Sequence, residues 1–136
     1  MARIIGIDYG KKKTGLSTTD PLQIIVTALD TVSTSDLIPY LVNYATTEAV
    51  EKIVIGRPTH KDGTDTYLVQ DIVVFRDKLQ KLLPDMIFDF ADEMHTSSQA
   101  KAIIFQSGVR KSKRRDKQLI DKVSAVLILQ KYLRHI

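Results

Sequence analysis

The sequence predicts an α/β fold built on a mixed five-stranded sheet, an antiparallel meander joined to parallel strands, with helices on both faces. Apolar segments at residues 3–8, 14–19 and 23–29 are separated by short turns, which is the pattern of an antiparallel meander. Helical and strand-like segments alternate from residue 37 onward. Because such alternation produces parallel crossovers, we expect the later strands to lie parallel in the same sheet.

The second half of the chain contains the apolar patterns of both a buried strand and an amphipathic helix. Residues 52–56 form a short continuous apolar run, which is typical of a strand buried on both faces. Leu68, Ile72, Phe75 and Leu79 recur at helical spacing and form one apolar stripe. The other predicted elements are a helix that begins at residue 37 after the polar cluster 33–36, a helix over 67–83, a strand over 86–90, and helices over 96–106 and 116–133.

Composition limits the class of protein. A length of 136 residues with 43% apolar residues predicts one domain, residues 1–136, with its own core. The absence of cysteine excludes disulfides and thiolate chemistry and favours the cytoplasm. No apolar run approaches the roughly 18 residues of a membrane span, and the first segment does not read as a secretory signal. A net charge of +4 favours polyanionic partners only mildly.

Asp8 ends the first predicted strand and begins a glycine-bounded turn that contains Lys11, Lys12 and Lys13. A carboxylate at the end of a central strand is badly solvated unless a cation or a hydrogen-bond donor meets it. Gly10 and Gly15 allow a tight turn and leave room for a phosphate or a metal ion. The alternative is a surface aspartate that caps an ordinary hairpin turn.

Two further segments supply acids. Asp92 and Glu93 follow the fifth strand, and Asp121 shares a helical face with the small residues Ser124 and Ala125. Three carboxylates around one pocket repel each other unless divalent cations lie between them, and two Mg²⁺ ions about 4 Å apart can activate a water for phosphodiester hydrolysis. Convergence requires the first and fifth strands to end near each other, which the sequence leaves open. The alternative is that these acids only complement helix dipoles.

A basic segment precedes the last helix. Such a cluster is either a solvated loop or a clamp on a phosphate backbone, whose binding weakens steeply with salt. No aromatic residue interrupts it, so neither base stacking nor sequence-specific readout is indicated there. Six of its eight positions are basic: Arg110, Lys111, Lys113, Arg114, Arg115 and Lys117.

Short motifs in a fixed order then connect these features. They are Asp8-Tyr9-Gly10 with Gly15, Asp20-Pro21-Leu22, Ile53-Val54-Ile55-Gly56 with Pro58, Asp62-Gly63, Asp92-Glu93 with Thr96 and Ala100, and Ile120-Asp121 with Ser124-Ala125. Together they resemble the bacterial Holliday-junction-resolvase-like proteins, also described as pre-16S ribosomal RNA nucleases, of the ribonuclease-H-like superfamily. The resemblance covers nearly the whole chain.

The resemblance implies a ribonuclease-H-like fold and a divalent-metal-dependent endonuclease. It implies that Asp8, Glu93 and Asp121 are catalytic and hold Mg²⁺ or Mn²⁺, with two ions in the site. The implied activity is the processing of the 5′ end of pre-16S ribosomal RNA, with Holliday junction resolution as the alternative. The expected partner is therefore pre-ribosomal RNA or branched DNA, and the chain is expected to be a monomer or a homodimer.

Four positions depart from the family pattern. Met94 and Lys13 replace common arginines, His95 replaces an apolar residue, and Arg57 replaces a common leucine. Methionine cannot pair with phosphate as arginine does, and Arg57 is a candidate to compensate by binding nucleic acid. These departures keep open a nucleic-acid-binding module with weak or no catalysis. An actin-like or sugar-kinase-like ATPase also begins with a strand and Asp-x-Gly, but it needs two such domains and this chain has the length of one.

Overall fold

Five strands form one mixed sheet in the computed structural model, which describes residues 2–57, 68–92 and 117–134. The strands are β1 (Arg3–Asp8), β2 (Lys13–Thr19), β3 (Val26–Ser33), β4 (Val50–Arg57) and β5 (Ile87–Asp92). Their order across the sheet is β3-β2-β1-β4-β5. β2 pairs with β1 and β3 in antiparallel fashion, whereas β4 is parallel to both β1 and β5. The predicted meander joined to parallel strands is confirmed.

Helices cover both faces of this sheet. Helices α1 (Leu37–Thr47) and α2 (Leu68–Leu82) pack on one face, and α3 (Lys117–Tyr132) packs on the other. The larger core joins Ile5 and Ile7 of β1 to buried residues of α1 and α2. The smaller core joins Ile4 of β1 to residues of α3. Because β1 alternates between the two faces, its sequence supplies both cores.

Helix α2 uses the stripe that its sequence predicts. Ile72, Phe75 and Leu79 are buried in the larger core, and Leu68 packs against it while partly exposed. The opposite side of the helix carries charged and exposed residues such as Asp77 and Lys81. Burial of three large apolar side chains stabilises the fold by roughly 1.5–3 kcal/mol each.

Helix α3 approaches the sheet closely above Gly6. A Cβ atom at this glycine would lie 2.5 Å from Cγ of Leu129, 2.5 Å from Oγ of Ser17 and 3.1 Å from the carbonyl oxygen of Ala125. The Ser17 hydroxyl donates a 2.7 Å hydrogen bond to that same carbonyl. Glycine in the strand, and serine and alanine where the two surfaces meet, therefore allow backbone to approach backbone.

The third strand begins later than its sequence predicts, at Val26 instead of residue 23. Asp20 accounts for the difference, since its Oδ1 accepts 2.7 Å hydrogen bonds from the amides of both Ile24 and Ile25. Gln23 has a φ of 61° in the same turn. These local bonds fix a turn over residues that β propensity alone would place in a strand.

The other boundaries differ by smaller amounts. β3 extends to Ser33, so part of the polar cluster predicted to cap a helix lies in the sheet, and a 3-10 turn (Thr34–Asp36) precedes α1. β5 runs to Asp92, two residues further than predicted. The helix predicted over 96–106 lies outside the described residues. Within the described ranges, no helix is long and apolar enough to cross a membrane.

Candidate active site

The parallel strands end together at one edge of the sheet. β4 lies between β1 and β5, and Ile7 of β1 pairs with Ile55 while Arg57 pairs with Asp92. The ends of β1 and β5 are thus two strand spacings apart, roughly 10 Å. The sequence left open whether these strands neighbour each other at this end, and the structure places them on either side of one strand. We call this edge the carboxyl edge.

Asp8 is the last residue of β1 and is half-buried. Ile4 packs with α3, and Gly6 lies directly beneath that helix. Side chains two residues apart along a strand share a face, so Asp8 lies on the α3 face of the sheet. A partly desolvated carboxylate at a strand end favours a cation nearby.

Helix α3 runs antiparallel to β1. Ala125 and Leu129 lie over Gly6, while Ile128 and Leu129 also reach Ile4. Moving one turn back from Ala125 along α3 therefore moves toward the carboxyl edge. A helical turn advances about 5.4 Å and two strand residues about 6.6 Å, so the backbone of Asp121 lies over the end of β1 that carries Asp8.

The third predicted acid, Glu93, lies outside the described residues. It follows β5 directly in the chain. The residues that precede it at intervals of two, Asp89 and Ala91, lie on the α3 face: Ala91 packs in the smaller core, and Asp89 accepts a 2.6 Å hydrogen bond from the Tyr132 hydroxyl. Lys52 donates to the same hydroxyl at 2.9 Å, so Tyr132 joins the last turn of α3 to β4 and β5.

The turn that follows Asp8 carries three exposed lysines, Lys11, Lys12 and Lys13. We call residues 10–13 the lysine turn. At Gly10 a Cβ atom would overlap the carbonyl oxygen of Lys13, so the turn requires glycine at its first position. Three ammonium groups on one short turn next to Asp8 form a basic surface at the carboxyl edge.

Two threonines that the sequence analysis did not single out hold the lysine turn. The Thr34 hydroxyl donates to the Gly10 carbonyl at 2.6 Å, and its amide donates to the Lys12 carbonyl at 2.9 Å. The hydroxyls of Thr34 and Thr14 lie 2.9 Å apart, and Thr14 Oγ1 accepts from the Gly10 amide at 3.4 Å. Because the Thr34 proton goes to Gly10, Thr14 donates to Thr34. The sequence signal for Thr34 is the polar cluster 33–36, which predicts a helix cap.

Tyr9 faces the side of the sheet opposite to Asp8. Its ring packs on Phe75 of α2, with 5.5 Å between ring centroids. Burial, and secondarily the nearby Asp71 carboxylate, raise the pKa of the Tyr9 phenol. The phenol therefore stays protonated at neutral pH and can donate a hydrogen bond.

The remaining predicted binding residues are described only in part or not at all. Arg57 is the last residue of β4 and Lys117 is the first residue of α3, and the structure describes only the backbone of each. Arg110, Lys111, Lys113, Arg114 and Arg115 lie outside the described residues. Whether these side chains bind nucleic acid stays a prediction.

The residue types of the predicted acidic set suit a hard divalent cation. Asp8, Glu93 and Asp121 offer only carboxylate oxygens, which Mg²⁺ and Mn²⁺ prefer. Among the side chains that the structure describes, no three acidic or histidine groups are gathered to hold a metal ion. Two of the three predicted ligands are not among those side chains. The placement of Asp8 and of the backbone at 121 is compatible with the predicted set, and the set itself stays a prediction.

Comparison with known proteins identifies the family. Residues 2–135 match the RuvX family, described as Holliday junction resolvase. A protein of Porphyromonas gingivalis named "Putative pre-16S rRNA nuclease" is 44% identical over 133 residues, which cover 98% of this chain and 96% of that protein. A protein of Phocaeicola vulgatus with the same name is 41% identical, again over 98% of this chain and 96% of its own length.

Solved structures agree on the fold. The fowlpox virus resolvase in complex with Holliday junction DNA matches with a TM-score of 0.59 at 11% identity, over 98% of this chain and 97% of its own. The Thermus thermophilus RuvC complex with a Holliday junction substrate matches with a TM-score of 0.57 at 15% identity, over 99% and 96% of the two chains. The predicted ribonuclease-H-like fold is confirmed. The chain belongs to the RuvX family of Holliday-junction-resolvase-like nucleases.

Proposed function

We propose that this chain is a divalent-metal-dependent endonuclease that cleaves pre-16S ribosomal RNA at its 5′ end, and that it works as a single domain, residues 1–136, in the cytoplasm. The main support is the position of Asp8, which ends β1 on the α3 face at the edge where β5 also ends. The course of α3 over Gly6 carries the backbone of residue 121 toward the same edge. Relatives that match 98% of the chain carry the name of such a nuclease.

Asp8, Glu93 and Asp121 would hold Mg²⁺ or Mn²⁺. When bound, a pair of such ions supplies an activated water and stabilises the leaving oxygen of a phosphodiester. The chain's own contribution is to position the acids. Asp8 is fixed by the pairing of β1 with β2 and β4, and the backbone at 121 by the packing of α3 on Gly6.

The lysine turn would bind the phosphate backbone beside the acids. Its three ammonium groups are exposed, and the threonine hydrogen bonds keep its backbone in one conformation. Binding through such groups releases counterions and is therefore strongly salt-dependent. Arg57 and the basic segment at 110–117 would extend this surface.

Holliday junction resolution is the second candidate, favoured by the family description. A resolvase that makes symmetric cuts works as a two-fold dimer. The two candidates therefore differ in substrate and in assembly. RNA cleavage by a monomer supports the first, whereas paired cuts in a four-way junction by a dimer support the second.

The deciding experiment compares wild-type protein with Asp8→Asn on a precursor ribosomal RNA fragment and on a four-way DNA junction, with Mn²⁺ and with a chelator. Asp85→Asn is the matched control, because Asp85 is exposed in the turn that precedes β5, at the opposite end of the strands. We expect metal-dependent RNA cleavage that Asp8→Asn abolishes and Asp85→Asn retains. Full activity of Asp8→Asn would refute the role of Asp8, and binding without cleavage under any divalent ion would favour the non-catalytic module.

A further inference from the structure

A surface cleft of about 310 Å³ lies beside the candidate active site, on the other face of the sheet. It is enclosed by the residue after β1, the 3-10 turn before α1, and one side of α2. Its lining includes Tyr9, Ser35, Asp71, Val74, Phe75 and Lys78. The volume falls at the lower end of the range for small-ligand sites.

The cleft has an aromatic wall and opposite charges at its two ends. The Tyr9 ring is partly exposed and packs on Phe75, which is almost fully buried, so Tyr9 supplies the aromatic surface that is open to a ligand. Asp71 and Lys78 are both exposed, and they lie seven residues apart on α2, about 10.5 Å along its axis. Both side chains line the cleft, so a carboxylate lies toward one end of it and an ammonium group toward the other.

This combination suits one unpaired nucleotide. A nucleobase presents a flat apolar ring and donor groups at its edge, which an aromatic surface and a carboxylate can receive. Its phosphate is an anion that a lysine attracts. The Tyr9 phenol and the Ser35 hydroxyl both line the cleft and add donors for base or ribose oxygens.

The cleft adjoins the candidate active site at the end of β1. Tyr9 follows Asp8 directly and faces the opposite way, so the two sites share the end of β1. Thr34 lines the cleft and also donates to the Gly10 carbonyl of the lysine turn. A strand bound through its phosphates on the lysine turn would therefore lie near both the acids and the cleft.

We propose that this cleft binds one unpaired nucleotide of the substrate strand, next to the bond that is cut. The inference rests on the proposed function for the nature of the substrate. It adds to that site a cleft that distinguishes unpaired from paired nucleotides. It predicts a preference for substrates with an unpaired base beside the cleavage position over fully paired ones.

The test fills the cleft with a side chain. Val74 lines the cleft and is 52% exposed, whereas its neighbour Val73 is 37% exposed and is not among the lining residues. Val74→Trp and Val73→Trp therefore add the same bulk to the same helix at surface positions. Binding of a short unstructured oligoribonucleotide is measured by fluorescence anisotropy in the presence of a chelator. We expect Val74→Trp to bind roughly tenfold more weakly than Val73→Trp, the effect of losing one stacked base.

A second variant, Asp71→Ala, separates the cleft from simple charge attraction. Removing an exposed acid from a basic protein strengthens polyanion binding if only net charge matters. Loss of a specific contact instead weakens it, and weaker binding of the oligoribonucleotide is the result we expect. Equal affinity of the two tryptophan variants, or tighter binding by Asp71→Ala, would overturn the inference.

The same design keeps the two proposals apart. Because binding is measured without divalent ions, the comparison of variants stands whether or not the protein cleaves RNA. Cleavage with Mn²⁺ by a protein whose tryptophan variants bind equally would reject the cleft alone. Absence of cleavage, together with selective weakening by Val74→Trp, would reject the nuclease and keep the cleft.

Discussion

Replacing Gly6 by alanine tests whether the packing of α3 on β1 sets the candidate site. The new Cβ would lie 2.5 Å from Leu129 Cγ and from Ser17 Oγ, whereas non-bonded carbon atoms prefer about 3.5–4.0 Å. Relief requires α3 to move away from β1 by roughly 1 Å or Ser17 to leave its rotamer. Either change weakens the hydrogen bond from Ser17 to the Ala125 carbonyl.

The magnitude follows from three contributions. Overpacking of a filled interface costs about 1–3 kcal/mol, and the buried Ser17 hydroxyl that loses its acceptor costs about 1–3 kcal/mol. The lower backbone entropy of alanine in the unfolded chain offsets roughly 0.5–1 kcal/mol. We expect Gly6→Ala to lower the free energy of unfolding by about 3 kcal/mol, a large share of the roughly 5–15 kcal/mol typical of a domain.

Two assays check this prediction. Urea unfolding measures the change in stability, and cleavage of precursor RNA at a temperature where the variant remains folded measures the effect on the site. A displacement near 1 Å of a catalytic group can lower the rate by about 100-fold. Leu129→Ala provides a double-mutant cycle, because it removes the side chain that the new methyl group meets. The double variant should be more stable than the sum of the single effects implies.

A Gly6→Ala variant within about 0.5 kcal/mol of the wild type would refute the reasoning. So would effects of Gly6→Ala and Leu129→Ala that add within about 0.5 kcal/mol, since independent sites behave that way. Normal stability with lost cleavage would instead place the effect on the site and not on the packing.

Three more predictions concern polar groups. The buried Ser124 hydroxyl has no hydrogen-bond partner among the described residues, so Ser124→Ala should leave the free energy of unfolding in urea unchanged or raise it by about 1 kcal/mol. Ser17→Ala removes the hydrogen bond to the Ala125 carbonyl and should lower this free energy by about 1–2 kcal/mol. The reverse ranking of the two variants would contradict the prediction. Hydrogen bonds from the Ile25 and Ile24 amides lower the pKa of Asp20 below its ordinary 3.8. The urea midpoint of the wild type should therefore exceed that of Asp20→Asn by a constant amount above about pH 4, and this difference should disappear as the pH falls through the lowered pKa. A difference that persists at the lowest pH would contradict the prediction. Thr34→Val should weaken RNA binding on the order of fivefold in a filter-binding assay, because the bond from Thr34 to Gly10 is lost, and unchanged affinity would show that the lysine turn does not depend on it.

Hydrophobic periodicity and the types of residue at the turns predict most of the fold from the sequence. The alternation of β1 and the stripe Ile72, Phe75 and Leu79 of α2 appear in the structure as predicted. The predicted start of β3 was wrong because the Asp20 carboxylate accepts hydrogen bonds from two nearby amides. These bonds outweigh the β propensity of the Ile24–Ile25 pair. Periodicity reports burial over many residues, and it cannot register one side chain that redirects the backbone.

The candidate site was predictable in kind but not in arrangement. Asp8 could be identified because an acid at a strand end needs a partner wherever the strand lies. Its nearness to the end of β5 depends on β4 lying between the two strands, and strand order is a property of the whole chain. Thr34 was missed as a support of the lysine turn because its bond to Gly10 spans 24 positions, a separation at which local pattern carries no signal.

The alternation of β1 also has a consequence for changes in chain length. Asp8 serves one face and its neighbour Tyr9 the other, and each of these faces meets a different helix layer. Deleting or inserting a single residue between Ile4 and Asp8 would exchange the two, with a phenol at the acidic edge and a carboxylate against Phe75. Only a change by an even number of residues preserves the parity of the strand. The length of this segment is therefore as strictly specified as its acid.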